Sequence, residues 1–303
     1  MELRKVYAET VIEIAEKDDK VYVLEADLSS AIATSGLAET LGSRYVNLGI
    51  MEANMMGVAA GISVSGGLAF VHSFGQFATR RAFDQIFVSL AYAKQHVIIL
   101  GSDAGVTAEH NGGTHMTFED TGLMRLIPHA HVYDISDARE LRAVLYQAYQ
   151  DPGVHYIRIA RKEFPDIHDE KTDFSNGLIP LTEGSDITIL ANGICVSEAL
   201  KAGELLQEKG LSVQVIDLFR VKPLNREGLL EAIQKTRLTV TVENHNVIGG
   251  IGSAIAEILA ENPSTPLLRI GVHESFGQVG KLPYLKDVYG ISAEKIAQEI
   301  LKK

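Results

Sequence analysis

The stretch Val46-Asn-Leu-Gly-Ile-Met-Glu-Ala-Asn-Met-Met-Gly-Val-Ala-Ala-Gly61, with Leu68-Ala-Phe-Val71 after it, decides the fold. Val46 to Leu48 reads as a short strand and Leu68 to Val71 as another. Ala53 to Val64 between them reads as a helix of small residues that can approach a neighbour closely. A strand, a helix and a second strand in this order make a parallel pair with the helix on the sheet face. The alternation continues outward. Upstream come a helix with Leu3, Tyr7, Val11 and Ile14 on one face, and a strand from Val21 to Leu24. Downstream the pattern predicts a long helix from Gln76 to Lys94, a buried strand from Val97 to Leu100 and a strand from Val132 to Ile135. A helix running to Gln150, capped by Asp137, and a strand from Tyr156 to Ile159 complete it.

Periodicity stops between Arg161 and Gly184, where Lys162-Glu-Phe-Pro-Asp-Ile-His-Asp-Glu-Lys-Thr-Asp173 is charged and interrupted by Pro165. A second alternation follows, with strands at Ile187–Ala191, Ser212–Leu218, Leu238–Glu243 and Leu267–Ile270. Its helices are expected at Ser197–Lys209, Arg226–Thr236, Ser253–Ala260 and Ala293–Leu301. The expected fold class is α/β, with two three-layer domains and mostly parallel sheets. The expected division is a first domain over 1–165, a linker over 166–184 and a smaller domain over 185–303.

Composition narrows the function. The net charge of −11 argues against wrapping nucleic acid, which needs a basic stripe. Cys195 is the only cysteine, so neither an intrachain disulfide nor a cysteine-rich zinc site is available, as suits a reducing cytoplasm. The amino terminus lacks the apolar segment of a signal peptide, and the weakly polar run Gly57–Val71 falls short of a membrane span. A soluble cytoplasmic protein is the expectation.

Four places carry candidate chemistry. Glu52 stands where a strand ends and a helix opens, beside Met51, Met55 and Met56. Such a carboxylate either complements the helix dipole or sits in apolar surroundings with a raised pKa, sharing a proton with a bound heterocycle. Phe74, Phe77, Phe83 and Phe87 recur at helical spacing, which suits core packing; Phe74 and Phe77, at the junction, suit stacking on a planar ring. The loop Ser102-Asp-Ala-Gly-Val-Thr-Ala-Glu-His-Asn-Gly-Gly-Thr-His115 is polar, follows an apolar strand and holds His110 and His115, without a metal-ligand pattern. Arg161 ends a strand, where it either clamps a phosphate or pairs on the surface. Gly249-Gly-Ile-Gly252 partly mimics a dinucleotide fingerprint but lacks its context.

Taken in order, Arg4, Ala26-Asp-Leu28, Gly49-Ile-Met-Glu-Ala53, Arg81-Ala-Phe-Asp-Gln85, Gly113-Thr-His115 and Arg158-Ile-Ala-Arg161 resemble the transketolase family. Asp217-Leu-Phe-Arg-Val-Lys-Pro-Leu-Asn225, Val242-Glu-Asn-His245 and Gly249-Gly-Ile-Gly252 resemble its carboxyl-terminal domain. The resemblance covers nearly the whole chain. It implies a pyrimidine-type, thiamine diphosphate-binding domain followed by the transketolase C-terminal domain, and transfer of a two-carbon ketol unit from a ketose or its phosphate to an aldose. It implies that Glu52 bonds the cofactor's pyrimidine nitrogen, that Phe77 stacks on that ring, and that Phe74 and Met51 line its pocket. His115 is then expected on the donor sugar's hydroxyls, with His110, Asn111 and Ser102 around the substrate and Arg161 and Arg4 on a sugar phosphate. Family members hold the diphosphate and Mg²⁺ through a preceding Gly-Asp-Gly segment that this sequence lacks. The resemblance therefore implies a separate N-terminal subunit for that role, a dimeric core of this chain, and no metal ligands within it. Ser102 and Ala31 stand where the family places a histidine and a serine, and His110 and Asn111 where it places an acid. These departures leave the substrate range open. Rival readings are a β subunit of a 2-oxoacid dehydrogenase and a catalytically silent subunit of the same fold.

Overall fold

A computed structural model describes residues 1–303. Its strands are β1 Val21–Glu25, β2 Tyr45–Asn47, β3 Leu68–Phe74, β4 Val97–Ser102, β5 His131–Asp134, β6 Val154–Arg158, β7 Ile179–Pro180, β8 Ile187–Ala191, β9 Val213–Asp217, β10 Arg220–Lys222, β11 Leu238–Asn246 and β12 Leu267–Val272. They form a seven-stranded sheet, β10-β5-β6-β4-β3-β1-β2, and a five-stranded sheet, β12-β11-β8-β9-β7. The pairs are parallel except β10 with β5 and β7 with β9. The α/β class and the parallel sheets agree with the sequence pattern. β3 and β4 are buried at every residue, as strands covered on both faces must be.

The first sheet reverses its winding between β1 and β3: the chain steps from β1 outward to β2, then returns to the other side of β1 for β3. Ligand crevices in open α/β sheets form at such a point, beyond the carboxyl ends of the strands. Glu52 follows β2, Phe74 ends β3, Ser102 ends β4 and Arg161 lies just beyond β6, so the expected chemistry gathers at that edge. Asp137 caps the helix Ala138–Gln150 as expected, its Oδ1 accepting from the Glu140 backbone N–H at 2.9 Å.

The structure departs from the pattern in several places, including short helices at Ser29–Ile32, Leu37–Leu41, Asp120–Leu126 and Leu282–Val288 that the pattern did not predict. The expected single helix over Gln76–Lys94 is broken into Gly75–Thr79, a 3₁₀ turn at Arg80–Ala82, Phe83–Gln85 and a π-helical segment Ile86–Tyr92. The break turns Arg80 and Arg81 onto different acids, Glu119 and Glu52; segments of this kind are often found at functional sites. β7 and β10 are absent from the sequence reading because they are two and three residues long and carry little periodicity. The halves also share a core, for one apolar cluster joins Leu24, Met55 and Val71 to Leu190, Ile216 and Ile255. No helix is long and apolar enough to cross a membrane.

Candidate active site

Glu52 opens the helix Glu52–Val64 and is 1% exposed. Its Oε1 accepts from the Ser73 hydroxyl at 2.9 Å, and its Oε2 pairs with Arg81 Nη1 at 2.8 Å. Of the two settings the sequence left open, apolar surroundings do not account for this carboxylate alone, since a hydroxyl and a guanidinium meet it. Met55 and Met56, on the same helix, are buried in the core, while Met51 is 55% exposed. The guanidinium carbon of Arg81 stands over Phe77, 4.0 Å from the ring centroid.

Phe74, Phe77 and His115 form an aromatic cluster. The His115 ring centroid stands 5.9 Å from Phe74 and 5.3 Å from Phe77, edge-on to both. The stripe expected along one helix face divides here, because Phe74 belongs to β3 and Phe77 to the short helix after it. Arg161 reaches the same cluster, with its guanidinium carbon 5.3 Å from the Phe74 centroid.

His115 is held by a loop that the second half of the chain clamps. The Asn244 side chain accepts from the Val106 backbone N–H at 3.0 Å and donates to the Ala104 carbonyl at 2.9 Å. Glu109 Oε1 accepts from the Leu282 N–H at 2.9 Å, and Glu109 also pairs with Lys162. Gly105 has φ +53°, and a Cβ there would meet Asn244 Oδ1 at 2.2 Å, so both backbone and space require glycine. Nothing in the linear order of the loop shows this clamp, whose partners lie more than 130 residues away.

Arg4 and Arg161 converge on the Ala31 carbonyl, at 3.4 and 3.5 Å. Each already has a carboxylate: Arg4 bonds Glu2, and Arg161 Nε donates to Asp103 Oδ1 at 2.5 Å. Burial pushes the Asp103 carboxyl above its usual range, with Arg161 acting against that rise. Asp103 Oδ2 is buried without a partner.

Three further expected site residues differ in setting. Ser102 is fully buried, and its hydroxyl bonds His72 Nε2 at 2.9 Å. His72 Nδ1 in turn bonds Glu25 at 2.8 Å, and Thr34 donates to the other Glu25 oxygen at 2.6 Å. Ser102 therefore anchors a buried chain of hydrogen bonds and has no exposed surface. It sits on β4 against β3, where the sheet covers it. His110 and Asn111 are exposed at the loop tip, and their side chains make no hydrogen bond.

Behind the aromatic cluster, Arg158 is buried between Asp120 at 2.8 Å and Asp134 at 2.9 Å, and it donates to the Asn244 carbonyl at 2.7 Å. Burial pushes Asp134 up to about 6, against the guanidinium beside it. The glycine-rich stretch before the helix Ile251–Glu261 does not cradle a phosphate. Glu243 already fills that helix start, accepting from the Ile251 and Gly252 N–H groups at 2.9 Å each, and a Cβ on Gly250 would fall 1.7 Å from its carboxylate.

Comparison with known proteins agrees with this architecture. Residues 1–166 match the pyrimidine binding domain of transketolase and residues 178–296 the transketolase C-terminal domain. The 6-deoxy-6-sulfo-D-fructose transketolase subunit SqwH of Clostridium sp. (strain MSTE9) is 44% identical over 98% of this chain and 92% of that protein. One of the subunits of the apulose-4-phosphate transketolase of Phocaeicola vulgatus is 32% identical over 99% and 97%. A solved structure described as a split gene transketolase, inactive beta4 tetramer, superposes with a TM-score of 0.90 at 37% identity, covering 100% of this chain and 97% of that one. This chain is a member of the transketolase family, built from its pyrimidine-binding and C-terminal domains.

Proposed function

We propose that this chain is the carboxyl-terminal subunit of a thiamine diphosphate-dependent transketolase, active only with a separate N-terminal subunit that holds the diphosphate and Mg²⁺. The observation that carries the reading is Arg81. Its planar cation makes the two contacts an aminopyrimidine needs, a hydrogen bond to Glu52 and a stack on Phe77. The Arg81 side chain is 42% exposed, so it can leave that place for solvent. A planar ring then meets a buried carboxylate at one edge and an aromatic face beneath it. Bound, thiamine diphosphate supplies the carbon nucleophile that attacks the ketose carbonyl. Glu52 would hold the pyrimidine edge through Oε2, while the Ser73 hydroxyl fixes the other oxygen. His115 donates to hydroxyls of the donor sugar, and the loop clamped by Asn244 keeps its ring at the aromatic cluster.

The donor is read as a ketose with an anionic far end, held by Arg161 and Arg4. Among the relatives, one is named for a sulfo-sugar and another for a sugar phosphate, which supports an anionic terminus and leaves its chemistry to experiment. The partner requirement is supported by relatives named as transketolase subunits and by the solved structure described as a split gene transketolase, inactive beta4 tetramer. The test is reconstitution. The lone chain with thiamine diphosphate and Mg²⁺ turns over no ketose, and adding an N-terminal subunit restores transfer. Full activity of the lone chain overturns the reading. Within the reconstituted enzyme, Glu52→Gln removes most of the exchange of the cofactor's C2 proton while assembly persists; near-normal exchange overturns the role of Glu52.

A further inference from the structure

The first sheet carries a second constellation at its opposite edge, the amino-terminal ends of β5 and β6. His131 and His155 are direct register partners across these parallel strands, and their ring centroids stand 4.4 Å apart. The turn between the helix Ala138–Gln150 and β6 lifts Asp151 against them. Asp151 Oδ2 is 3.2 Å from His131 Nδ1, and the Asp151 backbone carbonyl accepts from His155 Nε2 at 2.7 Å. One ligand-capable atom from each of the three residues lies within 4.8 Å of the other two.

The tautomer of His155 follows from its bond to that carbonyl. A ring nitrogen that bonds a carbonyl oxygen must carry the hydrogen, so the lone pair of the neutral imidazole is on Nδ1. That atom is buried without a hydrogen-bond partner, in a residue with no exposed surface. Buried polar atoms are rarely left so. A histidine that gives one N–H to a backbone carbonyl and keeps the other nitrogen's lone pair has the form that metal-ligating imidazoles take. An ion pair between His131 and Asp151 alone accounts for neither feature. Tetrahedral zinc ligands at about 2.0–2.1 Å from the metal stand about 3.3 Å apart, close to the 3.2 Å between His131 and Asp151. A cavity of about 670 Å³, lined by His129, His131, Gly153 and Val154 among others, opens beside them and gives access.

We propose that His131, Asp151 and His155 bind a divalent cation of the Zn²⁺ type, with its remaining position open to this cavity. Two imidazoles and one carboxylate favour zinc-like ions over Mg²⁺ or Ca²⁺, which prefer all-oxygen shells. The test uses cobalt(II), which occupies zinc sites and reports tetrahedral coordination by visible absorption. It is titrated into the chelator-stripped full chain without thiamine diphosphate or partner, so that no diphosphate competes. One cobalt per chain is expected to give the band, excess Zn²⁺ to abolish it, and Zn²⁺ to raise the melting temperature. His131→Ala and Asp151→Asn, at partly exposed side chains, are each expected to weaken binding by about tenfold or more while the circular dichroism is unchanged. No band in the wild-type chain, or unaltered affinity in both variants, overturns the proposal.

Discussion

At the scale of single residues, the sequence pattern proposed Glu52, Phe74, Phe77 and Arg161 from their places at predicted strand ends and helix openings, and His115 from its polar loop, and the structure sets Phe74, Phe77, His115 and Arg161 in one cluster. The pattern did not locate Arg81, which reads as one more charge on a helix face. Only the break in that helix turns Arg81 toward Glu52. Nor did it locate the chain Thr34–Glu25–His72–Ser102, whose members come from separate strands and turns. Asp103 is the residue whose replacement says most about substrate. It neutralises Arg161 from a buried position, so an incoming dianion meets a resident negative charge. Asp103→Asn removes that charge while the Ala31 carbonyl still engages the guanidinium. The KM for a ketose phosphate is expected to fall by about tenfold, a change of about 1.4 kcal/mol, and that for the uncharged ketose to stay level. A rise in both KM values would show instead that Asp103 is needed to orient Arg161.

Between elements, buried charge does the joining. Arg158 on β6 holds Asp134 on β5, Asp120 on the helix Asp120–Leu126 and the Asn244 carbonyl on β11. Arg158→Met keeps bulk but leaves two buried carboxylates without their cation. Removing one partner of a buried pair destabilises by about 3–5 kcal/mol, read as a lower urea midpoint in equilibrium unfolding. An unchanged midpoint would mean that the carboxylates simply take up protons. The sequence marked Arg158 as part of a motif but not its partners, which are 24, 38 and 86 residues away. The long, regular elements were legible and their ends nearly so. The short edge strands and the broken helix were not, because they are set by tertiary contacts and not by periodicity.

Across the whole molecule, the two halves meet in a buried polar knot. His168, in the segment between the sheets, bonds Glu140 at 3.1 Å and Asp217 at 2.9 Å, and the Ser136 hydroxyl lies 2.8 Å from an oxygen of each carboxyl group. Burial works against the His168 cation, but the bonds to Asp217 and Glu140 outweigh it and raise the imidazole from 6.5 to about 10. The folded chain therefore holds a proton that the unfolded chain releases above 6.5. The stabilisation is complete below that pH and drains away as pH rises through about 10. The melting temperature is expected to decline across this interval, and His168→Gln to start lower and flatten the curve. A wild-type curve parallel to that of the variant would remove His168 from the account. No motif announced this knot, because the aspartate, glutamate and histidine each sit in ordinary surroundings along the chain.

The antiparallel partnership of β10 with β5 has a consequence for how the polypeptide can be divided. The ribbon Arg220–Lys222 belongs by sequence to the second half but completes the rim of the first sheet. A truncated product ending in the connecting segment would leave the rim at Val132 and Tyr133 bare, offering its amide and carbonyl groups to any passing strand. Such a stump invites intermolecular stacking rather than life as an autonomous module. The fusion of the two halves into one gene product thus protects the protein from its own adhesive margin.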